Sequence, residues 1–493
     1  MLPPLTVSTA SRPWLYQGQQ VLAFEAAQAE QGQDLYQWLQ QAAQSLAWHL
    51  ELHFPSVTKV LILVGSGNNG GDGYALAKLL LAKGIEVTLL VALPAKSDFA
   101  LRARHELLSA FAPRILEQLP DDLSEQQLVV DTVFGCSFRL PLPEAWAVIF
   151  RQLNSSGIPI LAVDLPSGLD ANSAQADPDT LRATHTVQML AAKFACHTAW
   201  GAHFSGQSYV ATLGQEIQLS VQPRAHLLTD LAAVWPKARD KTWHKGRSGT
   251  VWIVGGVEGM QGAAILAGLA ALRAGAGKVI VLCPKEQQAS LAAMSMDLMV
   301  MPFAPQSLAE IKSQDVLLLG PGLGRSHFAQ QVISQTYLFS GKLVLDADAL
   351  FAMAQGADWP WATKVITPHP LEAARLLGLD TEEVLQQPLE TVQRLAQLAQ
   401  GLILKVNGSL LHCQGQYSVV AAGNPGMAKA GMGDVLAGML SALWAQDLPL
   451  GSALCLAALW HAKAGDALAA EQGELSLLAS DMLGALMRAR PRG

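Results

Sequence analysis

Three aspartates stand where short apolar runs give way to glycine-rich turns. Asp72 lies in Gly65-Ser66-Gly67-Asn68-Asn69-Gly70-Gly71-Asp72-Gly73-Tyr74, directly after the apolar run 60–64. Asp131 ends the run 128–131 and precedes Thr132-Val133-Phe134-Gly135-Cys136-Ser137. Asp164 follows Ala162-Val163 and precedes Leu165-Pro166-Ser167-Gly168. Ligands of parallel sheets bind at the carboxyl ends of strands, so the three acids can converge there. One such aspartate is more often a helix cap than a catalyst; three at strand ends point to a site. Glycines in the first loop let backbone approach a phosphate at a helix N-terminus. Gly65, Gly67 and Gly70 even satisfy GxGxxG. The next apolar run ends Val91-Ala92-Leu93-Pro94, however, with no acid for a ribose, which disfavours a nicotinamide dehydrogenase. A plain glycine turn capped by Asn and Asp is the competing reading. The density of glycine, asparagine and aspartate in 65–73 favours a ligand.

The second half carries its own set. Ala430-Gly431-Met432-Gly433-Asp434-Val435-Leu436-Ala437-Gly438 opens a long helical stretch. It resembles the GxGD signature of ribokinase-like enzymes, in which amides at the helix start make an anion hole and the aspartate acts on a substrate hydroxyl. An ordinary aspartate-capped helix start is the competing reading. Leu404-Lys405-Val406-Asn407-Gly408-Ser409 fits a nucleotide phosphate clamp, although a lysine and a glycine turn recur in any hairpin. Leu319-Gly320-Pro321-Gly322-Leu323-Gly324 and Ile366-Thr367-Pro368-His369-Pro370 each follow a short apolar run. His369, held between two prolines, is rigidly placed for a ligand. Lys245-Gly246-Arg247-Ser248-Gly249 offers a further basic loop. Gly275-Ala276-Gly277-Lys278 is not a P-loop, because Val279 follows the lysine.

The elements that must position these residues follow from composition and rhythm. The chain has 493 residues, 51% of them hydrophobic and 15% charged. That is enough apolar material for real cores and excludes global disorder. A net charge of −7 argues against a general nucleic-acid binder, which carries a basic stripe. Mean hydropathy is +0.25, yet the apolar runs are strand-sized, far short of the ~20 residues of a membrane-spanning helix. No signal peptide and no membrane partner are expected. Five scattered cysteines without a CxxC read as reduced thiols of a cytoplasmic protein and argue against a disulfide framework or zinc site.

Strand-sized runs at 59–64, 86–91, 128–131, 159–163, 184–189 and 209–212 alternate with helical stretches such as 73–83 and 100–111. This βαβ rhythm predicts a mostly parallel sheet with helices on both faces. The rhythm lapses around 217–241 and restarts with runs at 250–254, 279–283, 316–319, 343–345, 364–366 and 402–405. A hairpin-like stretch, 408–420, and a last helical block, 433–487, follow. Two α/β domains in series are expected, residues 11–217 and 226–490.

GSGNNGGDGY, VDTVFG and VDLPSGLDANS resemble the NAD(P)H-hydrate epimerase family over about residues 15–213. The resemblance implies that Asn68, Asn69, Gly70, Gly71 and Asp72, with Gly135, Cys136, Ser137, Phe138, Arg139, Leu140 and Pro141, hold a hydrated dinucleotide. It implies a potassium ion on Asn69, Asp131 and Ser167, and Asp164 as acid/base beside the nicotinamide ring. The family usually reads FGTGL where this chain has Phe134-Gly135-Cys136-Ser137-Phe138, and its ERAG-like stretch is not evident in Trp38-Leu39-Gln40-Gln41-Ala42.

KGRSG, VGGVEGMQGAA, LRAGAG, LGPGLG, LDADAL, TPHP, KVNGS and AGMGDVLAG resemble, in order, the NAD(P)H-hydrate dehydratase family. The resemblance implies ADP as cosubstrate with magnesium. Ala263, Gly322, His369 and Asp434 would contact the hydrated dinucleotide, and Lys405, Val406, Asn407, Gly408, Ser409 and Gly433 the adenine nucleotide. Leu371 stands where glycine is usual, Asp297 where glutamate is usual, and Phe351 where a polar residue is common.

The two resemblances together imply three-layer α/β/α domains, Rossmann-like then ribokinase-like. They imply a homo-oligomeric repair enzyme that epimerises the R and S hydrates of NADH and NADPH and dehydrates the S form. A ribokinase-like small-molecule kinase with a non-catalytic N-terminal nucleotide-binding or interaction domain is the rival reading.

Overall fold

The computed structural model describes residues 14–236 and 247–491. Lys245 and Gly246 of the basic loop fall outside them. The chain divides into two compact units, Met1–His226 and Leu227–Gly493.

The first unit holds seven parallel strands. Their spatial order is Arg114–Leu116, Glu86–Leu90, Lys59–Val64, Leu128–Thr132, Ile160–Val163, His185–Met189 and Gln207–Ala211. The chain works outward from Lys59–Val64, then returns to lay Leu128–Thr132 on its other side. That reversal opens a crevice at the carboxyl ends of these two strands, between the loops that carry Asn69 and Asp131. The inner strands read as unbroken apolar runs because both faces are covered. Helices Leu35–His53 and Asn68–Ala82 pack on one face, and Glu144–Ser155 on the other.

The first glycine loop is shorter than its sequence implies. The helix expected from residue 73 begins at Asn68, so Asn68 to Asp72 are already helical. Glycine disfavours helix interiors by about 1 kcal/mol, but packing overrides that preference here. A Cβ on Gly70 would lie 1.9 Å from the Gly65 carbonyl oxygen. The helix can start this close to the strand only on glycine.

The second unit repeats the architecture. Met299–Pro302, Lys278–Cys283, Thr250–Val254, Val316–Leu319, Lys342–Leu345, Lys364–Ile366 and Gly401–Leu404 run parallel in that order, and the hairpin Leu410–Cys413 with Gln416–Val420 extends the sheet antiparallel. Met299–Pro302 escaped the sequence pattern, since a four-residue strand ending in proline is tolerated only at an edge. The switch point lies between Thr250–Val254 and Val316–Leu319, where the Gly255-Gly256 and Gly320–Gly324 loops meet. The Val257 amide donates to the Gly322 carbonyl at 2.9 Å. Helices Gln261–Arg273, Met432–Ala445, Leu450–Gln472 and Ala479–Arg488 bury their alanine- and leucine-rich faces in one core. No helix among the described residues is long and apolar enough to cross a membrane. The five cysteines are free thiols.

Helix Met432–Ala445 crosses Gln261–Arg273 so closely that a Cβ on Gly438 would sit 2.0 Å from the Ala267 carbonyl oxygen. Gly438→Ala is expected to cost about 1–3 kcal/mol of stability, read as a lower urea midpoint. Gly262→Ala, in a helix with nothing within 4 Å of the added carbon, is expected to gain up to about 1 kcal/mol. Equal losses in both would contradict the packing account.

Two candidate active sites at the sheet switch points

In the first unit the predicted residues converge on the loop that follows Leu128–Thr132. Asp131 is fully buried and accepts from the Val133 amide at 3.1 Å, and from the Ser167 amide and hydroxyl at 2.8 and 2.7 Å. The Phe134 amide donates to the Ser167 hydroxyl oxygen at 2.9 Å. The Asn69 side-chain amide donates to the Phe134 and Val163 carbonyls at 3.0 and 3.2 Å. Asn69, Asp131 and Ser167 thus close around one short segment. Asp131 has no ion pair among the described residues, and burial pushes its carboxyl up to about 6. A buried carboxylate without a cation, among carbonyl, amide and hydroxyl oxygens, is the donor set a hard monovalent cation fits.

Asp164 sits one step further along the crevice. Its φ of 70° places an aspartate in the left-handed region, a strain that recurs at functional positions. The backbone is pinned by its own amide, which donates to the Val187 carbonyl at 2.8 Å. The carboxylate accepts from the Cys136 amide at 3.1 Å and the Met189 amide at 3.2 Å, and it meets the Lys193 ammonium at 2.5 Å. Lys193 is fully buried. Burial works against its charge, but Asp164 more than compensates and its pKa rises. Cys136 is buried beside this pair, and burial first, then the Asp164 charge, drives its thiol pKa well up, which disfavours the thiolate.

Sequence reasoning missed two members of this cluster. Lys193 follows two alanines and has no local signature. Glu25 lies on the helix Gly18–Glu30, whose start packs beside Cys136: a Cβ on Gly18 would lie 3.2 Å from the Cys136 carbonyl oxygen. Glu25 is pushed up to about 7 by burial and by the Asp164 charge, against the pull of Lys193. Asp72, half-buried on the helix Asn68–Ala82, is raised by burial and then by Asp164 and Glu25. Three carboxyl groups therefore act on one another beside the single Lys193–Asp164 pair.

The loop 135–141 is divided between crevice and core. Gly135 faces the site, since a Cβ there would lie 3.0 Å from the Asp164 carboxylate. Ser137, Arg139 and Pro141 are exposed, as is Asn68. Phe138 turns inward instead and stacks near Phe134 with ring centres 4.8 Å apart, so it can offer a ligand only its backbone. Leu140 packs partly against the same core. The Arg139 guanidinium is spent on the Cys136 and Phe138 carbonyls, which it reaches at 3.0 and 2.5 Å.

The second unit gathers its residues around a different pair. Asp346 is buried and accepts from the Thr367 hydroxyl at 2.8 Å and from the Lys405 ammonium at 2.9 Å. Lys405 also faces Glu372 at 3.8 Å. Burial opposes its charge, but Asp346, Glu372 and Asp434 outweigh burial and its pKa rises. The lysine expected to clamp a phosphate is therefore engaged within the protein. Its backbone ties KVNGS to TPHP, the Lys405 amide donating to the Pro368 carbonyl at 2.9 Å. Val406, Asn407, Gly408 and Ser409 form the turn beyond, which the Ser409 hydroxyl closes onto the Val406 carbonyl at 3.0 Å. Gly433 brings in the third motif, since a Cβ there would lie 3.2 Å from the Lys405 ammonium.

Asp434 occupies the first turn of helix Met432–Ala445. Burial and then the Asp346 charge push its carboxyl up to about 7. His369 caps helix Pro370–Leu377 in a reciprocal box: its amide donates to the Glu372 carboxylate at 2.8 Å. Burial and then Lys405 lower the His369 pKa, and burial raises Glu372. Gly322 lies against Met260 at the start of the helix Gln261–Arg273 that carries Ala263. Asp346 and Glu372, which hold this basin together electrostatically, were not singled out from sequence. The acid at the end of an apolar run in LDADAL was the available signal.

Comparison with known proteins follows the same division. The family model described as NAD(P)H-hydrate dehydratase matches residues 251–488. The one described as YjeF-related protein N-terminus matches residues 35–195. The bifunctional NAD(P)H-hydrate repair enzyme Nnr of Escherichia coli K12 is 36% identical over 467 residues, covering 93% of this chain and 90% of its own. Its namesake from Vibrio cholerae is 35% identical over 492 residues and 97% of each chain. A crystal structure of the ADP/ATP-dependent NAD(P)H-hydrate dehydratase from Bacillus subtilis, co-crystallised with ATP and Mg2+, aligns with 27% identity over 52% of this chain and 94% of that one, at a TM-score of 0.48. Matched along nearly its whole length, the chain belongs to the family of bifunctional NAD(P)H-hydrate repair enzymes.

Proposed function

We propose that this chain restores NADH and NADPH that have taken up water across C5–C6 of the nicotinamide ring, one unit interconverting the C6 epimers and the other removing water from the S form. The observation that carries this reading is the pair of separate acid sites, Asp164 with Lys193 and Asp434 beside Asp346 with Lys405. The kinase rival is not favoured, because the relatives that match nearly the full length are named as bifunctional repair enzymes.

At the first site epimerisation needs the C6–O bond to open and close again on the other face. The ring nitrogen lone pair pushes the oxygen out, and a proton must be delivered to it and later recovered. Asp164, fixed by two backbone amides and Lys193, holds and moves that proton at C6. Asn68, Asn69, Gly70, Gly71 and Asp72, with residues 135–141, line the dinucleotide. Asn69, Asp131 and Ser167 hold a potassium ion, supported by the all-oxygen donor set and the uncompensated Asp131 carboxylate. Bound there, potassium supplies positive charge for the loop that carries Gly135 and Cys136.

At the second site Asp434 takes the proton of the C6 hydroxyl as its oxygen attacks the terminal phosphorus of ADP and AMP departs. The ring nitrogen then expels phosphate from C6, and loss of the C5 proton restores the double bond. The balance is hydrate plus ADP giving the dihydronicotinamide, AMP and phosphate. Amides of 430–433 stabilise the developing phosphoryl charge, and Mg2+ neutralises the nucleotide phosphates when bound. Ala263, Gly322 and His369 line the hydrate. The turn Val406–Ser409 and Gly433 line the nucleotide, while Lys405 positions the motif through Asp346.

Mixed R and S NADH hydrate, with potassium, magnesium and ADP, is expected to recover its near-ultraviolet absorbance beyond the S fraction. Asp434→Ala should cut dehydration by about a thousandfold or more while epimerisation persists; Asp164→Ala should stop recovery at the S fraction. Loss of both activities in either variant would refute two independent sites.

Asp434 must be deprotonated to act, so kcat/KM for dehydration should rise with pH through about 7. Asp346→Asn removes a charge that raises Asp434 and frees Lys405 to lower it further. Both effects move the limb to lower pH, and an unmoved limb would exclude Asp434 as the titrating base. Potassium should raise the thermal midpoint of wild type over sodium, and this gain should vanish in Asp131→Asn.

A further inference from the structure

We propose that Arg325 and Arg375 form a clamp for a phosphate group of the hydrated dinucleotide in the second unit, with the Phe351 ring orienting their guanidinium groups. The proposal rests on the dehydratase reading and adds an anchor for the far end of the substrate.

Three elements that follow neighbouring strands build the clamp. Arg325 succeeds the Gly320–Gly324 loop after Val316–Leu319. Phe351 lies on helix Asp348–Ala354 after Lys342–Leu345, and Arg375 on helix Pro370–Leu377 after Lys364–Ile366. The three strands are adjacent and in register, so all three side chains rise at the carboxyl end of the sheet. The Arg325 guanidinium carbon lies 3.7 Å over the Phe351 ring centre, and that of Arg375 lies 6.0 Å from the same centre. The two cations flank the residues placed against the hydrate. Arg325 is two positions beyond Leu323 and three beyond Gly322, and the Arg375 charge acts on His369 and Glu372.

Charge and hydrogen bonding at this rim are incomplete. Asp348 faces Arg325 through Nε at 3.6 Å, too long for a hydrogen bond, and its other oxygen is held by the Gly324 amide at 2.8 Å. Arg375 has no ion pair among the described residues, and neither guanidinium makes a hydrogen bond to them. Asp348 is the one carboxylate in ion-pair reach of either cation among the described residues. A guanidinium stacked on an aromatic ring keeps its N–H edge free for bidentate contact, the arrangement that suits phosphate. Phe351, where a polar residue is common, is thus explained as the plate that orients the cations.

The substrate carries phosphate in two places, the diphosphate bridge and, in the NADPH form only, the ribose 2′-phosphate. Kinetics on the full chain with S-NADH hydrate and S-NADPH hydrate separate them. Arg325→Gln and Arg375→Gln should each raise KM for hydrate about tenfold. kcat, KM for ADP and the thermal midpoint should stay at wild-type values. A rise confined to the NADPH form assigns the 2′-phosphate; an equal rise with both forms assigns the diphosphate. Arg375→Lys should recover part of the loss. Arg488→Gln, on the distant helix Ala479–Arg488, controls for net charge and should change nothing. Unchanged KM in both clamp variants, or an equal rise in the control, overturns the clamp. Binding of NADPH by fluorescence titration is read on the same variants. An inactive wild type that still loses NADPH affinity with Arg375→Gln would sink the dehydratase reading and keep the clamp.

Discussion

Each unit sets one lysine ammonium against a buried acid at the carboxyl end of its strands, fully enclosed for Lys193 and partly for Lys405, and the acids around it are tolerable only because it is there. Lys193 meets Asp164 at 2.5 Å, and Lys405 meets Asp346 at 2.9 Å. An unpaired charge at such depth would cost several kcal/mol. Removing either partner would therefore do more than delete a contact, since the survivor would remain desolvated and alone. The neighbouring carboxyls feel the same logic. Glu25 and Asp434 are raised by burial first, and Asp434 is raised again by Asp346 while Lys405 restrains it. Each pair thus adjusts the protonation of groups that burial has already raised.

The pairs in turn depend on backbone brought unusually close. Helix Asn68–Ala82 can begin against its own strand only because Gly70 lies where a Cβ would strike the Gly65 carbonyl. The glycines that spell a dinucleotide fingerprint are used here for packing, and Gly67 alone, with nothing within 4 Å, has open space over it. The same economy recurs at the second switch point, where a Cβ on Gly322 would lie 2.3 Å from the Met260 carbonyl. Close approach narrows each crevice until side chains from four or five separate elements share one small volume.

This explains what the sequence disclosed and what it withheld. Both domains, the parallel sheets and most strands were legible, because a buried strand writes itself as a short apolar run and a switch-point loop as glycine beside Asp or Asn. Asp131, Asp164, His369 and Asp434 were legible for the same reason. Lys193 was not: its partner is 29 residues away, and an Ala-Ala-Lys-Phe string carries no periodic or turn signal. Glu25 lies on a helix whose other residues are largely small or polar, so nothing local marks the one carboxyl that faces inward. The engagement of Lys405 with Asp346 spans 59 residues and has no local signal either. Local patterns name the ends of strands; which ends meet is decided by sheet order.

The acid content of the two crevices also bears on how an anionic dinucleotide can enter them. Glu25, Asp72 and Asp164 act on one another beside a single paired ammonium in the first, and Asp346, Glu372 and Asp434 surround another in the second. A diphosphate driven into the first would meet more negative charge than positive, in a medium that screens it poorly, whereas the nucleotide proposed for the second brings the charge of Mg2+ with it. The reduced, hydrated nicotinamide ring carries no charge, so its entry incurs no such penalty. On the proposed reading the interior selects the ring end, and the phosphates of the dinucleotide remain with exposed groups at the rim: Asn68 and Ser137 in one unit, Arg325 and Arg375 in the other. On the proposed reading, polarity of this kind orients the substrate before any specific contact forms, and it places C6, the carbon both reactions must work on, next to Asp164 in one crevice and next to Asp434, raised by burial to about 7, in the other.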